Sequence, residues 1–243
     1  MTSPSLLPDT WDVPPEFRER LGDTVGRQRC MFADGHLLLV LHKPPKANEP
    51  QRSGRFFWRG PSGNWKSSDL GDGQQALDAH LAEYTEIIQH LDRRQDDAIH
   101  AAEYFQVLEA TAPLNRSARN MHSTLQAARQ RCPDVHELIN YRDHAYDIER
   151  TSELLYEDTK NGLEFAIAKR AEEQAASSHQ MAVSAHRWNL LAAFFFPMVT
   201  LASIFGTNLR HGLENIPPPL PFLAVMSIGL LAGFVLKTFI SRS

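Results

Sequence analysis

The sequence predicts an α+β domain, with a small antiparallel sheet and several helices, which a very long stalk helix joins to a hairpin of two membrane-spanning helices. Three observations support this fold class: two hairpin signals within residues 1–70, a helical pattern without proline from residue 134 up to Pro197, and two uncharged apolar runs at residues 189–205 and 220–236. The formal charge of -4 and the hydrophobic content of 42% are ordinary for a soluble protein, so the average composition conceals this division. The predicted segments, in chain order, are the α+β domain (1–133), the stalk helix (134–188), a first span (189–208), an outer loop (209–219), a second span (220–236) and a basic tail (237–243).

Two turn signals predict the antiparallel sheet. Asp34 and Gly35 lie between strand-like runs in VGRQRCMFADGHLLLVLH, and Asp-Gly between such runs is a strong hairpin signal. Residues 60–63 separate aromatic residues in RFFWRGPSGNWKSS, which predicts a second hairpin. The polar segment KPPKANEPQRSG is expected to be the loop between the two. Residues 71–73 lack the spacing and the lysine of a phosphate-binding loop, so we interpret them as the start of a helix.

The periodicity becomes helical after Gln74. One helix is predicted to carry an apolar stripe as far as Leu108, and a second is predicted over residues 114–131, ended by Cys132-Pro133. The stripe consists of Leu77, Leu81, Tyr84, Ile88, Leu91, Ile99, Ala102, Phe105 and Leu108.

Histidines and cysteines show no arrangement typical of a metal site. His80, His90 and His100 are ten residues apart and are expected to lie on the surface. Cys30 and Cys132 belong to no Cys-x-x-Cys pair, which fits a reducing compartment.

The longest predicted helix begins where Asp134 and Glu137 have the spacing of a capping box. If it continues to Phe205, it is on the order of 105 Å long. Such a helix, with only a weak apolar seam, is expected to pack against copies of itself, which predicts an oligomer whose order the pattern does not give. The seam consists of Leu138, Tyr141, Ala145, Ile148, Ser152, Leu155, Thr159 and Ala166.

Acidic residues outnumber basic residues on this helix. One interpretation is a solvated face with intrahelical pairs, such as Asp147 with Arg150. The other is that Asp143, Asp147, Glu153 and Glu157 of several copies converge on an axis and attract Mg²⁺ or Ca²⁺ at the subunit interfaces.

The two apolar runs predict a membrane hairpin. As a helix each run is about 26 Å long, at the short end of what crosses a hydrocarbon core of about 30 Å. Arg187 precedes the first run and Lys237 and Arg242 follow the second, against Arg210 in the loop, so the positive-inside rule places both termini in the cytoplasm. Two buried core helices are the alternative.

The first span contains features of a pore. Pro197 lacks an amide hydrogen and leaves the carbonyl near Ala193 without a helical partner, which predicts a local kink. An uncharged lining of this kind passes a hydrated ion without removing its water. The pore-lining candidates are Phe196, Pro197, Thr200, Ser203 and Ile204.

The first span ends in Gly206, Thr207 and Asn208. Glycine permits the helix to end, and the asparagine amide oxygen can contact the water shell of a cation, so copies around an axis would form a neutral polar ring. A simple Gly-Asn helix stop is the alternative.

The order of these features resembles that of the CorA family of two-span divalent cation transporters. The features are the acidic helix, the run FFFPMVTLASIFG, Gly-x-Asn, the short loop, the second span and the basic tail. The resemblance implies a funnel-shaped homopentamer in which the first span lines the pore and the second packs outside it. It also implies that Gly206, Thr207 and Asn208 form the selectivity filter, with Asn208 contacting the cation through hydration water. Thr207 is a departure, because the family has methionine there. The outer loop, with Arg210, His211 and Glu214, is near neutral where the family places acidic residues.

The resemblance implies a channel or transporter for divalent cations, with Mg²⁺ expected first and Zn²⁺, Co²⁺ or Ni²⁺ as alternatives. It implies passive flux in the inner membrane, with the cation as transported ion and as regulator, and no other cofactor. The expected partners are copies of the same chain and the bilayer, and no nucleic acid. A non-conducting scaffold or regulator that keeps the oligomer is the alternative function. No enzyme is expected, since no nucleophile, base and orienting group can be assembled from the sequence.

Overall fold

The computed structural model describes residues 6–46, 52–206, 212, 215–217 and 219–242, with side chains to residue 238. The chain divides into two compact units, Met1–Ala168 and Lys169–Ser243. The 70-residue helix α4 begins in the first unit and ends in the second. The elements are α1 (Pro15–Glu19), β1 (Arg29–Ala33), β2 (His36–His42), β3 (Gly54–Arg59), β4 (Trp65–Ser67), α2 (Gln75–Asp96), α3 (Ala101–Arg131), α4 (Glu137–Gly206) and α5 (Leu220–Arg242).

The four strands form one antiparallel sheet in chain order, as the turn signals predict. Asp34 and Gly35 have φ values of 49° and 77°, and positive φ at both central residues is the requirement of a type I′ hairpin. At the second turn the Gly60 amide donates to the carbonyl of Asn64 at 3.0 Å, and Gly63 has a φ of 88°. Both predicted hairpins are confirmed.

Both faces of the sheet are buried, which explains why β2 is an unbroken apolar run instead of an alternating one. One face packs with the helices of the first unit, and the other packs with the N-terminal segment. Arg18 fastens that segment by donating from Nη2 to the carbonyls of Pro8 at 3.0 Å and Trp11 at 3.1 Å. The sheet residues on the helix side are Leu37, Leu39, Leu41, Phe57 and Trp65, and those on the N-terminal side are Met31, Leu38, Val40, Phe56 and Trp58.

The helix boundary after Gln74 differs from the prediction. The chain leaves α2 at Asp96, and α3 begins at Ala101 and continues through residues 109–113, where the prediction placed the gap. Glu103 causes the earlier break, because its carboxylate accepts the amides of Ile99 at 2.7 Å and His100 at 2.9 Å and so caps a new helix. The predicted stripe is wrong beyond α2: the side chains of Ile99, Ala102 and Phe105 are exposed.

His80 is buried, contrary to the expectation that it lies on the surface, whereas His90 and His100 are exposed. The His80 ring packs against Phe57 and Tyr84, with centroids 5.4 Å apart in each pair, and Arg55 on β3 places Nη1 at 2.9 Å from His80 Nδ1. Burial and the Arg55 charge lower the pKa of His80 to about 3, so the ring is neutral and Nδ1 accepts the hydrogen bond.

The stalk helix α4 begins at Glu137, so Asp134 and Glu137 do not occupy the N-cap and N3 positions of the predicted capping box. Glu137 has a different role, since its Oε1 accepts from Arg59 Nε at 3.2 Å and from Trp65 Nε1 at 3.3 Å. The seam is confirmed as a buried row from Leu138 to Thr159, with Ala166 half-buried. Its apolar members belong to the same buried cluster as residues of α2 and α3, so this part of the seam is covered without a second copy.

Candidate functional site

The second unit contains the apolar hairpin in which the sequence places the pore. Two helices, α5 over Leu220–Thr238 and the C-terminal part of α4, are long and apolar enough to cross a membrane. Their large apolar side chains are exposed within the protomer: Phe196 is 71% exposed and Val235 is 68% exposed. Apolar surface of this extent needs lipid or other protein to cover it.

Two glycines of α5 allow it to approach α4 closely. A Cβ on Gly233 would lie 2.5 Å from the carbonyl oxygen of Phe194, and a Cβ on Gly229 would lie 3.0 Å from Cγ of Met198. Phe194 also meets Phe234 edge-on, with ring centroids 5.5 Å apart. The spacing Gly229-x-x-x-Gly233 is the small-residue motif of membrane helix pairs. It was visible in the sequence, but the prediction did not use it.

The contact with α5 defines two faces of the α4 segment. Phe194, Met198 and Leu201 lie against the two glycines. Phe196 and Thr200 are each two residues from Met198, which at about 100° per residue places them on the far side of the helix. Both are exposed, and so is Ser203, which shares that side. Three of the predicted pore-lining residues are thus brought together on one face, which we call the outer strip (Phe196, Thr200 and Ser203).

The other two pore-lining candidates lie beside the outer strip. Ile204 is exposed, whereas Pro197 is half-buried and turned toward the side that carries Met198. The helix continues through Pro197. Thr200 donates its hydroxyl hydrogen to the carbonyl of Phe196 at 2.8 Å, so the oxygen faces outward as an acceptor.

Gly206 is the last residue of α4, and a Cβ added to it would meet nothing within 4 Å. Thr207 and Asn208, the other two predicted filter residues, lie outside the described residues, as do Arg210, His211 and Glu214 of the outer loop. The selectivity filter therefore stays a prediction.

Of the four predicted interfacial carboxylates, two form ion pairs and two have no ion pair among the described residues. Asp143 pairs with Arg142 at 2.5 Å, and Glu153 pairs with Arg150 at 3.1 Å, so the expected pair of Arg150 with Asp147 is wrong. Arg150 pairs with Glu153, three residues later in the helix, instead of with Asp147, three residues earlier. Asp147 and Glu157 are exposed, and no group of three or more His, Cys, Asp or Glu within the described part of one protomer could hold a metal ion.

A charge network around the buried Arg55 in the first unit was not predicted, because its members come from distant positions. Arg55 donates from Nε to Asp69 at 2.9 Å and from Nη1 to Glu83 at 2.8 Å, and Lys43 Nζ lies 2.5 Å from Asp69. Burial alone would raise the pKa of Asp69, but hydrogen bonds from Lys43 and Arg55 outweigh it and the pKa is lowered. Each charge has its counter-charge, so we assign this network the structural role of fastening β3 to α2.

Comparison with known proteins identifies the fold. No family model matches the chain, and no curated protein sequence matches it. Among solved structures, the full-length CmaX protein superposes with a TM-score of 0.56 at 12% identity, over 94% of this chain and 79% of that one. The CorA magnesium transporter from Methanocaldococcus jannaschii gives a TM-score of 0.43 at 14% identity, over 90% of this chain and 81% of that one. At 12% identity, the similarity to CmaX shows a shared fold. The predicted fold class, a small sheet, a very long helix and an apolar hairpin, is confirmed for the single chain.

Proposed function

We propose that the protein is a CorA-like membrane channel or transporter for divalent metal cations. Mg²⁺ is the first expected cargo, and Zn²⁺, Co²⁺ and Ni²⁺ are the alternatives. The observation that carries the proposal is the outer strip, an uncharged exposed face of α4 that bears two hydroxyl groups and faces away from α5. The fold shared with CmaX and the resemblance of the Gly206–Asn208 region to the CorA family support it.

The chemistry of the outer strip suits a cation that keeps its water. Mg²⁺ dehydrates reluctantly, and a wall of neutral oxygens contacts its hydration shell without replacing it. Because the hydrogen of the Thr200 hydroxyl is donated to Phe196, the oxygen lone pairs can accept from water bound to the cation. Flux along this face is passive and follows the concentration and voltage gradients.

One strip does not make a pore, so the proposal includes self-association. Copies arranged around an axis with α4 inside and α5 outside would line a channel with Thr200 and Ser203, and we propose the homopentamer that the family resemblance implies. Gly206, Thr207 and Asn208 then form the filter at the outer mouth. Both termini lie in the cytoplasm and the hairpin lies in the inner membrane.

The exposed carboxylates give the proposal a regulatory site. Asp147 and Glu157 are free of ion pairs among the described residues, so they are available to a divalent cation held between copies. Asp143 and Glu153 would first have to leave Arg142 and Arg150.

A flux assay on the purified protein in proteoliposomes tests the proposal, with an internal dye that reports Mg²⁺ and parallel assays for Zn²⁺, Co²⁺ and Ni²⁺. Thr200→Val removes the hydroxyl from the strip while keeping the shape, and we expect flux to fall severalfold. Thr238→Val is the matched control, because Thr238 makes the same 2.8 Å bond to the carbonyl four residues earlier, on α5. Equal loss in the two variants would assign the effect to helix stability and overturn the lining role of Thr200.

A non-conducting scaffold or regulator is the second candidate function. It is favoured by Thr207, a short β-branched residue where the CorA family has methionine, and by the near-neutral outer loop. An intact oligomer without flux of any of the four ions would establish this candidate and exclude the channel.

A further inference from the structure

The first unit carries a concave surface whose charge is opposite to that of the acidic stalk. A cavity of about 450 Å³ lies between the residues that lead into β1 and the second half of α3. The arginines that line it are Arg27 just before β1, Arg29 as the first residue of β1, Arg131 from the end of α3, and Arg52 from the loop between β2 and β3. Arginines repel cations, so binding of the transported cation does not explain a cavity lined by four of them.

These arginines lack the counter-charges that other arginines of the unit have. Arg55, Arg59 and Arg119 each pair with a carboxylate. Within the described residues, no carboxylate lies at salt-bridge distance from any of the four cavity arginines. Four neighbouring guanidinium groups without an anion repel one another, and a multivalent anion would relieve that repulsion.

One of the four is held in place by backbone. The Nη1 atom of Arg29 donates to the carbonyls of Val25 at 3.1 Å and Arg27 at 2.9 Å, while the exposed Arg27, Arg52 and Arg131 make no such bonds to the described residues. A fixed guanidinium loses less conformational entropy when it binds an anion, and its fork geometry matches phosphate oxygens. Arg29 therefore provides the anchored contact and the other three supply charge.

Gln28 adds an acceptor to this donor-rich wall. Its Nε2 donates to the carbonyl of Ser117 at 2.8 Å, which fixes the amide orientation. Its Oε1 is buried and has no donor among the described residues. A buried acceptor without a donor is costly, so a small rotation of the Gln28 side chain that brings Oε1 to a ligand hydroxyl or amino group would be favoured.

We propose that the cavity binds a soluble phosphate ester with at least two phosphate groups, of nucleotide size. The phosphates contact the arginines and a hydroxyl or amino group of the ligand reaches Gln28. The cavity volume lies within the range of about 300–1,000 Å³ that is typical of small-molecule sites. The residues of this site are different from those of the proposed ion path.

Isothermal titration of the full chain in detergent, with pyrophosphate and ATP as probes and EDTA present, tests the proposal. We expect both probes to bind, with an affinity that falls as salt is raised. Arg131→Gln or Arg52→Gln should weaken binding about tenfold each, and the double variant about 100-fold, because each removes charge-assisted hydrogen bonds. Arg116→Gln is the matched control, since it removes the same charge from α3 outside the cavity lining.

The proposal would be overturned if neither probe binds, if Arg116→Gln weakens binding equally, or if the double variant does not weaken it. If the double variant does not fold, Arg52→Gln alone decides, because Arg52 lies in a loop outside every helix and strand. A lipid headgroup is distinguished by repeating the titration in phosphatidylcholine bilayers with and without phosphatidylglycerol. Pyrophosphate binding that phosphatidylglycerol abolishes would assign the site to a lipid and overturn the soluble ligand.

Discussion

The first unit buries its large apolar side chains and pairs its buried charges, whereas the second unit exposes its apolar side chains and has few charges. Arg55 in the first unit is buried with three hydrogen-bonding partners, while Phe196 in the second is 71% exposed. Water favours the first arrangement and disfavours the second. The buried side chains of the first unit are those of a domain in water, whereas the exposed apolar side chains of the second unit need lipid or other protein to cover them.

The same difference is visible in single glycines. Gly233 is packed against the backbone of α4, whereas Gly206 has open space around it within the protomer. A substitution at Gly233 therefore alters the packing of α5 on α4, whereas a methyl group at Gly206 would meet no described residue of the chain.

The largest effect in the first unit is expected from Arg55→Leu. It leaves Asp69 and Glu83 without their buried partner, and we expect the free energy of unfolding to fall by about 3 kcal/mol. This value is at the lower end for a broken buried ion pair, because both carboxylates reach solvent. Chemical denaturation of the full chain in detergent measures the change. Arg150→Gln is the control, because its exposed pair with Glu153 is worth about 1 kcal/mol at most. Similar losses in the two variants would contradict a structural role for the network.

The largest effect in the second unit is expected from Gly233→Ala. The new methyl group would lie 2.5 Å from the Phe194 carbonyl oxygen, so the helices must separate at a cost of about 1–3 kcal/mol. The melting temperature of the detergent-solubilised protein should fall for this variant and stay unchanged for Gly206→Ala. If Gly206→Ala lowers flux at unchanged stability, its effect arises between copies. A Gly233→Ala protein as stable as the wild type would show that α5 does not pack on α4 through this glycine.

A smaller effect, confined to the first unit, is expected from pH. The pKa of His80 is lowered to about 3, so between pH 6.5 and that value the unfolded chain binds a proton that the folded chain does not. Stability therefore falls as the pH falls through this range. The lowered pKa of Asp69 adds to the loss only below about pH 4.

Thermal melts of wild type and His80→Gln at about pH 7 and about pH 5 measure this effect. The variant should lose less stability on acidification, although His42, whose pKa burial also lowers, keeps part of the dependence. An unchanged pH dependence in the variant would show that His80 is not held neutral in the fold.

The parts of the fold that depend on local sequence could be predicted. Asp34-Gly35 specifies its turn through the backbone of two adjacent residues, and the absence of proline between residues 134 and 196 allows α4 to continue without a break. The break before α3 was missed because it depends on one side chain: Glu103 accepts hydrogen bonds from two backbone amides. The spacing of apolar residues carries no information about such a cap.

The parts that depend on distant contacts could not be predicted. His80 is buried by Arg55, and Glu137 is engaged by Arg59 and Trp65, all of them far away in sequence. For the candidate site, the outer strip follows from helical periodicity once the α5 contact is known. The role of Asn208 rests on resemblance, since it lies outside the described residues.

Measuring divalent cation flux through the Asn208→Ala variant is the most direct test of the proposed channel. Wild-type protein and the variant are reconstituted at equal density in proteoliposomes, their oligomeric state is checked by light scattering, and Mg²⁺ influx is followed at a fixed membrane potential. We expect influx through the wild type and a changed rate or ion preference in the variant, with the oligomer intact. No influx through the wild-type oligomer, or identical influx and selectivity in the variant, would contradict it.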